Sequence, residues 1–175
     1  MRQLWEAADF LRKLRVRMRF GKLSRAPLQL LRFELRGEVA ECEWVARPAD
    51  AWDADLPPSV GKRNASWQAL EDSLAVREML FAAMPGVASA AFRVYRAVEG
   101  AEAELIIVGT VGRDEEVAGH IRSLAMRAQL FGFRFWMDDG VWGGFAAECA
   151  ISPQSAVEVL RVKFLVSTAA KPACG

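Results

Sequence analysis

The residues best suited to bind a charged partner lie close together near the start of the chain. They are Lys13, Arg15, Arg17, Arg19, Lys22 and Arg25, and residues 13–25 are called the basic segment below. Residues 1–25 carry a net charge of +6, and because the whole chain carries +1, the other residues carry −5. Lys and Arg attract phosphate and carboxylate groups through charge and hydrogen bonds. The sequence therefore predicts that the basic segment meets an anionic partner.

A second candidate binding residue is Trp52, which stands among Asp50, Asp53 and Asp55. The surrounding stretch, 47–62, also contains three prolines. Because Pro and Asp favour turns over helices and strands, the stretch is predicted to be a long loop. Trp is enriched at protein interfaces, so we expect Trp52 to be an exposed anchor. The carboxylates suit Ca²⁺ or Mg²⁺, but their spacing is not that of an EF-hand, and a solvated acidic loop is expected.

Residues that could perform catalysis are few. His120 is the single histidine and the best candidate for acid–base chemistry. No CxxC spacing connects the three cysteines, which are Cys42, Cys149 and Cys174. The turn at Gly109–Gly112 is followed by acidic residues 114–116, which would repel a phosphate. The chain has no GxSxG, HExxH or GxxxxGK[ST] motif, so we predict no catalytic residue, no cofactor and no metal.

Alternation and turn residues predict the elements that position these groups. Hairpin strands are predicted over 28–36 and 39–47, over 87–96 and 102–111, and over 133–137 and 141–150. One helix is predicted to begin at Asn64 or Ser66 and to end before Pro85, and a second to cover 114–131. Residues 14–20 alternate between basic and apolar types, which predicts a strand or extended arm after a short helix over 3–13. Residues 153–166 can be helix or strand, and their β-branched residues favour strand.

The predicted fold class is α+β, with a mostly antiparallel sheet built from hairpins and two amphipathic helices on one face. Its order is arm-ββ-α-ββ-α-ββ. Residues 1–25 are expected to form a basic N-terminal arm or edge strand. Residues 26–170 are expected to form a single domain, and 171–175 a frayed C-terminus.

The sequence favours a non-enzymatic binding or adaptor protein that acts through protein contacts, including contacts with a second copy of itself. The alternative is a peripheral binder of an anionic membrane surface or of nucleic acid. A third possibility is an enzyme with an unrecognised site, and the structural explanation is an edge strand whose Arg side chains prevent aggregation. No transmembrane segment is predicted, and the scattered cysteines favour a reducing, cytoplasmic location.

Overall fold

A computed structural model describes residues 2–138, 140–144 and, for the backbone alone, 160–163. The helices are α1 (Arg2–Arg17), α2 (Pro58–Ala83) and α3 (Leu124–Leu130), with a short 3₁₀ helix at Ala51–Asp55. The strands are β1 (Gln29–Arg36), β2 (Val39–Val45), β3 (Ser89–Arg96), β4 (Glu104–Gly112), β5 (Phe133–Asp138), β6 (Val141–Gly143) and β7 (Leu160–Lys163). The predicted α+β class is confirmed.

The strands form one sheet in the order β6-β5-β4-β3-β2-β1-β7. Strands β2 and β3 pair in parallel, and every other neighbouring pair is antiparallel. The parallel pair arises because α2 carries the chain back to the end of the sheet from which β2 started. Gly37 and Gly100 have φ of 60° and 72° at the turns of the first two hairpins, where a positive φ favours Gly.

Strand register places the large apolar side chains on one face of the sheet. Phe33, Cys42 and Phe92 lie side by side in a row that continues through Gly109 to Phe133. A Cβ on Gly109 would lie 2.8 Å from the Gly132 carbonyl oxygen, so only Gly permits this strand approach. The buried apolar side chains of the three helices belong to the same core cluster as this row. The core therefore lies between this face and the helices.

A β-bulge between Leu30 and Arg32 changes which side chains at the start of β1 face the core. Leu30 stands opposite Trp44 and packs against the core, whereas simple alternation predicts Leu31 at that place. Beyond the bulge, Phe33 and Leu35 are buried as the alternation predicts.

The strand predicted over residues 14–20 is wrong, because residues 14–17 are the last turn of α1. Ala7, Phe10 and Leu14 recur at helical spacing and are buried, and the Phe10 ring lies 5.2 Å from the ring of Phe33. The alternating pattern would have placed Val16 beside Leu14, but Val16 is 70 % exposed. The helical spacing prevails because it places Phe10 and Leu14 in the same core. The domain boundary at residue 25 stays a prediction.

Two other predicted elements have different bounds. Helix α2 begins at Pro58, six residues before the predicted cap at Asn64, because Pro is well suited to the first helical position. Helix α3 covers Leu124–Leu130 and not 114–131. The side chain of Arg77 donates 3.0 Å hydrogen bonds to the carbonyls of Gly112 and Glu115, and these contacts hold 112–115 outside a helix. The predicted strand beyond residue 144 and the C-terminal residues 171–175 lie outside the described residues.

Candidate functional site

The basic segment begins in the last turns of α1 and continues to Arg25. Lys13 and Lys22 form ion pairs within the chain, with Nζ–carboxylate distances of 2.6 Å to Asp9 and 3.2 Å to Glu71. Within the basic segment, four exposed guanidinium groups have no carboxylate within 4 Å among the described residues, and they belong to Arg15, Arg17, Arg19 and Arg25. These four charges are therefore available to a partner.

Large apolar side chains are exposed beside these arginines. Trp5 is 72 % exposed, and Phe20, whose ring lies 5.3 Å from the Arg19 guanidinium, is 63 % exposed. At about 100° per residue, Trp5 and Val16 fall on the side of α1 opposite Phe10. Aromatic residues and Arg together are typical of protein interfaces.

The carboxylate of Asp50 brings two predicted site residues together. Its Oδ2 accepts a 2.7 Å hydrogen bond from the backbone N–H of Arg25, and its Oδ1 accepts a 3.0 Å bond from the N–H of Trp52. The Arg25 guanidinium then lies 5.1 Å from the centre of the Trp52 ring. The two hydrogen bonds, from Trp52 first and then from Arg25, lower the pKa of Asp50. Trp52 is 74 % exposed, as expected for an anchor.

A chain of buried polar side chains fixes the end of the basic segment. Gln68 Oε1 accepts a 2.6 Å bond from the N–H of Leu23, and Gln68 Nε2 donates a 2.8 Å bond to Asp72. Asp72 also accepts a 2.7 Å bond from Arg47 Nε, and Arg47 Nη1 donates to the Ala26 carbonyl. Burial raises the pKa of Asp72, and the bond from Arg47 offsets this only in part. Hydrogen bonds thus connect Leu23 to α2 and Ala26 to Arg47, which follows the end of β2.

This buried chain was not found from the sequence, although one signal for it exists. Gln68 and Asp72 are four residues apart on α2, so they share one face of the helix with the buried residues Ala69 and Val76 close by. Two polar residues at that spacing within a buried helix require partners. A Cβ on Gly21 would lie 2.5 Å from the Gln68 side chain, which explains why Gly stands there.

The predicted acid–base and metal candidates lie apart from the basic segment. His120 is exposed in a turn before α3 and not on a helix, which corrects its predicted position. Cys42 is buried in the core, and burial raises the pKa of its thiol, whereas Cys149 and Cys174 lie outside the described residues. Among residues 2–138 and 140–144, no three His, Cys, Asp or Glu side chains are grouped to hold a metal ion. Asp53, one of the carboxylates considered for Ca²⁺ or Mg²⁺, accepts a 3.1 Å hydrogen bond from the side chain of Asn64.

The described part of the chain is thus an α+β protein with exposed arginines and aromatic residues at its N-terminal helix. No helix among the described residues has both the length and the apolar character needed to cross a membrane. Comparison of the chain with protein-family models, with curated proteins and with solved structures finds no match.

Proposed function

We propose that this protein is a non-enzymatic binding protein whose basic segment, together with Trp52, binds an acidic surface of a protein partner. The observation that carries the proposal is the concentration of exposed guanidinium groups in one short segment, where those of Arg15, Arg17, Arg19 and Arg25 have no carboxylate within 4 Å among the described residues. Arg at a protein interface forms bidentate hydrogen bonds with carboxylates. The partner can be another protein or a second copy of this chain, whose residues outside 1–25 carry −5.

A protein partner is favoured over a lipid surface because of how α1 packs. An amphipathic helix binds lipid by inserting its apolar face, but the apolar face of α1, with Phe10 and Leu14, is already buried in the core. A nucleic acid is disfavoured because the rest of the chain is acidic and would repel phosphates. The proposal includes a cytoplasmic location, supported by the scattered cysteines of the sequence.

The test compares three anionic probes: a poly-Glu peptide, phosphatidylserine-rich vesicles and single-stranded RNA. The variant carries Arg15→Gln, Arg17→Gln and Arg19→Gln, and the matched control carries Arg63→Gln, Arg122→Gln and Arg134→Gln at other exposed positions. We expect the peptide to bind most tightly, and the variant to weaken it roughly tenfold, because three exposed ion pairs contribute about 0.5 kcal/mol each.

Two outcomes would contradict the proposal. Tighter binding of vesicles or RNA than of the peptide would favour the alternative anionic surfaces. Equal weakening by the variant and by the control would show that net charge, and not the basic segment, attracts the peptide. Sedimentation of the wild-type chain over a range of concentrations tests whether a second copy is the partner.

A further inference from the structure

A second group of accessible side chains lies along the outer face of α1. Its members, called the outer stripe below, are Trp5, Asp9, Arg12 and Val16. Because they are spaced by four, three and four residues, they form one line along the helix at about 100° per residue. Leu14, on the opposite side of the helix, is buried in the core. The outer stripe is therefore open to a partner, and even the Asp9 side chain is 30 % exposed.

The order of residue types along the outer stripe is apolar, acidic, basic, apolar. When two copies of such a helix lie antiparallel, Trp5 of one copy faces Val16 of the other, and Asp9 faces Arg12. Each contact then occurs twice about a two-fold axis between Asp9 and Arg12, as an isologous interface requires. A parallel arrangement in the same register would place Asp9 beside Asp9, which is repulsive. The stripe is thus complementary to itself only when the helices are antiparallel.

A groove beside Val16 can receive the indole ring of Trp5 from a second copy. It has a volume of about 420 Å³ and lies between α1 and the last turns of α2. Met79 and Ala82 of α2 line it together with Val16, and Arg12 lines it as well. An aromatic ring in such a groove gains apolar contact and attraction to the guanidinium group.

The charged middle of the outer stripe fits the same arrangement. In the single chain, Asp9 pairs with Arg12 at 2.5 Å and with Lys13 at 2.6 Å. The Arg12 side chain is 77 % exposed, so it can also reach a carboxylate of a second copy. Two antiparallel stripes would therefore join two acids and two arginines in one network. Ala8, which is exposed next to the stripe, has a small side chain that lets the two helices approach closely.

We propose that this chain forms a two-fold symmetric dimer in which the outer stripes of two copies pack antiparallel. The contact spans about 16 Å from Trp5 to Val16, at 1.5 Å per residue. It is closed, so assembly ends at two copies. The inference goes beyond the acidic-partner proposal and does not depend on it, because the contact leaves out Arg15, Arg19 and Arg25.

Sedimentation velocity of the full chain over a wide concentration range tests for the dimer. We expect a monomer–dimer equilibrium in the wild type. Trp5→Ser should weaken dimerisation by at least about tenfold, because each dimer loses two aromatic contacts. Trp136→Ser, the matched control, removes another exposed Trp and should leave dimerisation unchanged. Circular dichroism verifies that each variant is folded.

An exchange of charges tests the antiparallel pairing directly. Asp9→Arg and Arg12→Asp should each remain monomeric, because each variant would bring four like charges together in the dimer. An equimolar mixture of the two variants should form a heterodimer, since every cation of one copy then faces an acid of the other. Neither variant retains the Asp9–Arg12 pair within its own helix, so only a contact between copies accounts for this result. Glu102→Arg and Arg122→Asp, at exposed positions elsewhere, are the controls and should each dimerise like the wild type.

Three results would overturn the proposal. The first is a wild-type chain that stays monomeric at every concentration. The second is a mixture of the two charge variants that stays monomeric while the wild type dimerises, since the copies would then meet through another surface. The third is loss of the dimer in an Arg15→Gln and Arg19→Gln double variant but not in Trp5→Ser, which would assign self-association to the basic segment. None of these results depends on whether the acidic peptide binds.

Discussion

At the scale of single residues, Asp50 determines how the exposed Trp52 is presented. The sequence predicts a solvated acidic side chain, but the Asp50 carboxylate accepts hydrogen bonds from two backbone N–H groups on different parts of the chain. It therefore serves both as the cap of the 3₁₀ helix and as a link to Arg25. A Trp held in this way loses little conformational freedom when a partner binds.

Asp50→Ala removes both acceptors while leaving Trp52 and Arg25 in the chain. We expect the Trp52 indole N–H to become more mobile, with a reduced heteronuclear NOE, and the acidic peptide to bind more weakly. Asp55→Ala is the control in the same loop. An unchanged NOE at Trp52 in the Asp50 variant would show that the stacked Arg25 side chain alone orients the ring.

Trp52→Ala tests whether this residue is an anchor or part of the core. Because the side chain is 74 % exposed, we expect the free energy of unfolding to fall by less than about 1 kcal/mol. The loss of binding free energy for the acidic peptide should be larger than the loss of unfolding free energy. Urea denaturation and a peptide titration measure the two effects, and a loss of several kcal/mol in stability would place Trp52 in the core instead.

At the scale of elements, the buried face of α1 packs in the core. Phe10 is completely buried and contacts the ring of Phe33, whereas Val16 on the same helix is largely exposed. Phe10→Ala should therefore lower the free energy of unfolding by about 3–5 kcal/mol. Val16→Ala, the matched control, should change it by less than about 0.5 kcal/mol. Similar losses in the two variants would favour the alternating strand predicted from the sequence.

Deletion of residues 1–25 tests the predicted domain that starts at residue 26. The deletion removes Ala7, Phe10, Leu14 and Met18 from the core cluster and exposes the apolar surface that they cover. We expect the truncated chain to lose its cooperative thermal unfolding transition and to aggregate. A truncated chain with a sharp transition close to that of the full chain would support the predicted separate arm.

At the scale of the whole molecule, the face of the sheet away from the helices carries a network of charged residues. Glu34 and Glu41 stand opposite each other in register, an arrangement that is repulsive by itself. Arg36 lies 2.9 Å from Glu34 and 3.6 Å from Glu41, and Arg32 lies 2.8 Å from Glu34. The two arginines thus offset the repulsion across the β1–β2 pair.

This network predicts how the stability of the fold depends on pH. Burial, the largest influence, raises the pKa of Glu34, but the hydrogen bonds from Arg32 and Arg36 outweigh it and hold the pKa below its usual value. A lowered pKa in the folded state gives stability that is complete above the unfolded pKa, about 4.3, and is lost as the pH falls through the folded one. We expect Glu34→Gln to flatten the fall in melting temperature below that pH. An equally steep fall in the variant would assign the acid sensitivity to other carboxylates.

Local pattern by itself determined the hairpins of this protein. Alternating residues and a Gly at the turn specify β1–β2 and β3–β4 because strand side chains alternate and a positive φ favours Gly, and both effects act between neighbouring residues. The basic and aromatic character of the candidate binding residues was likewise evident from the sequence. For residues 14–20, however, local pattern favoured the wrong element, since alternation and helical spacing were both present there.

Contacts between distant residues decided the rest. Phe33 gives α1 a core to pack on, and Arg77 binds the carbonyls of Gly112 and Glu115 and holds them outside the predicted helix. Asp50 brings Arg25 to Trp52, and helices α1 and α2 form a groove beside Val16. These contacts join residues far apart along the chain, and their free energy is gained only once the fold has formed. Local sequence pattern therefore does not predict these contacts, and only the tertiary structure reveals them.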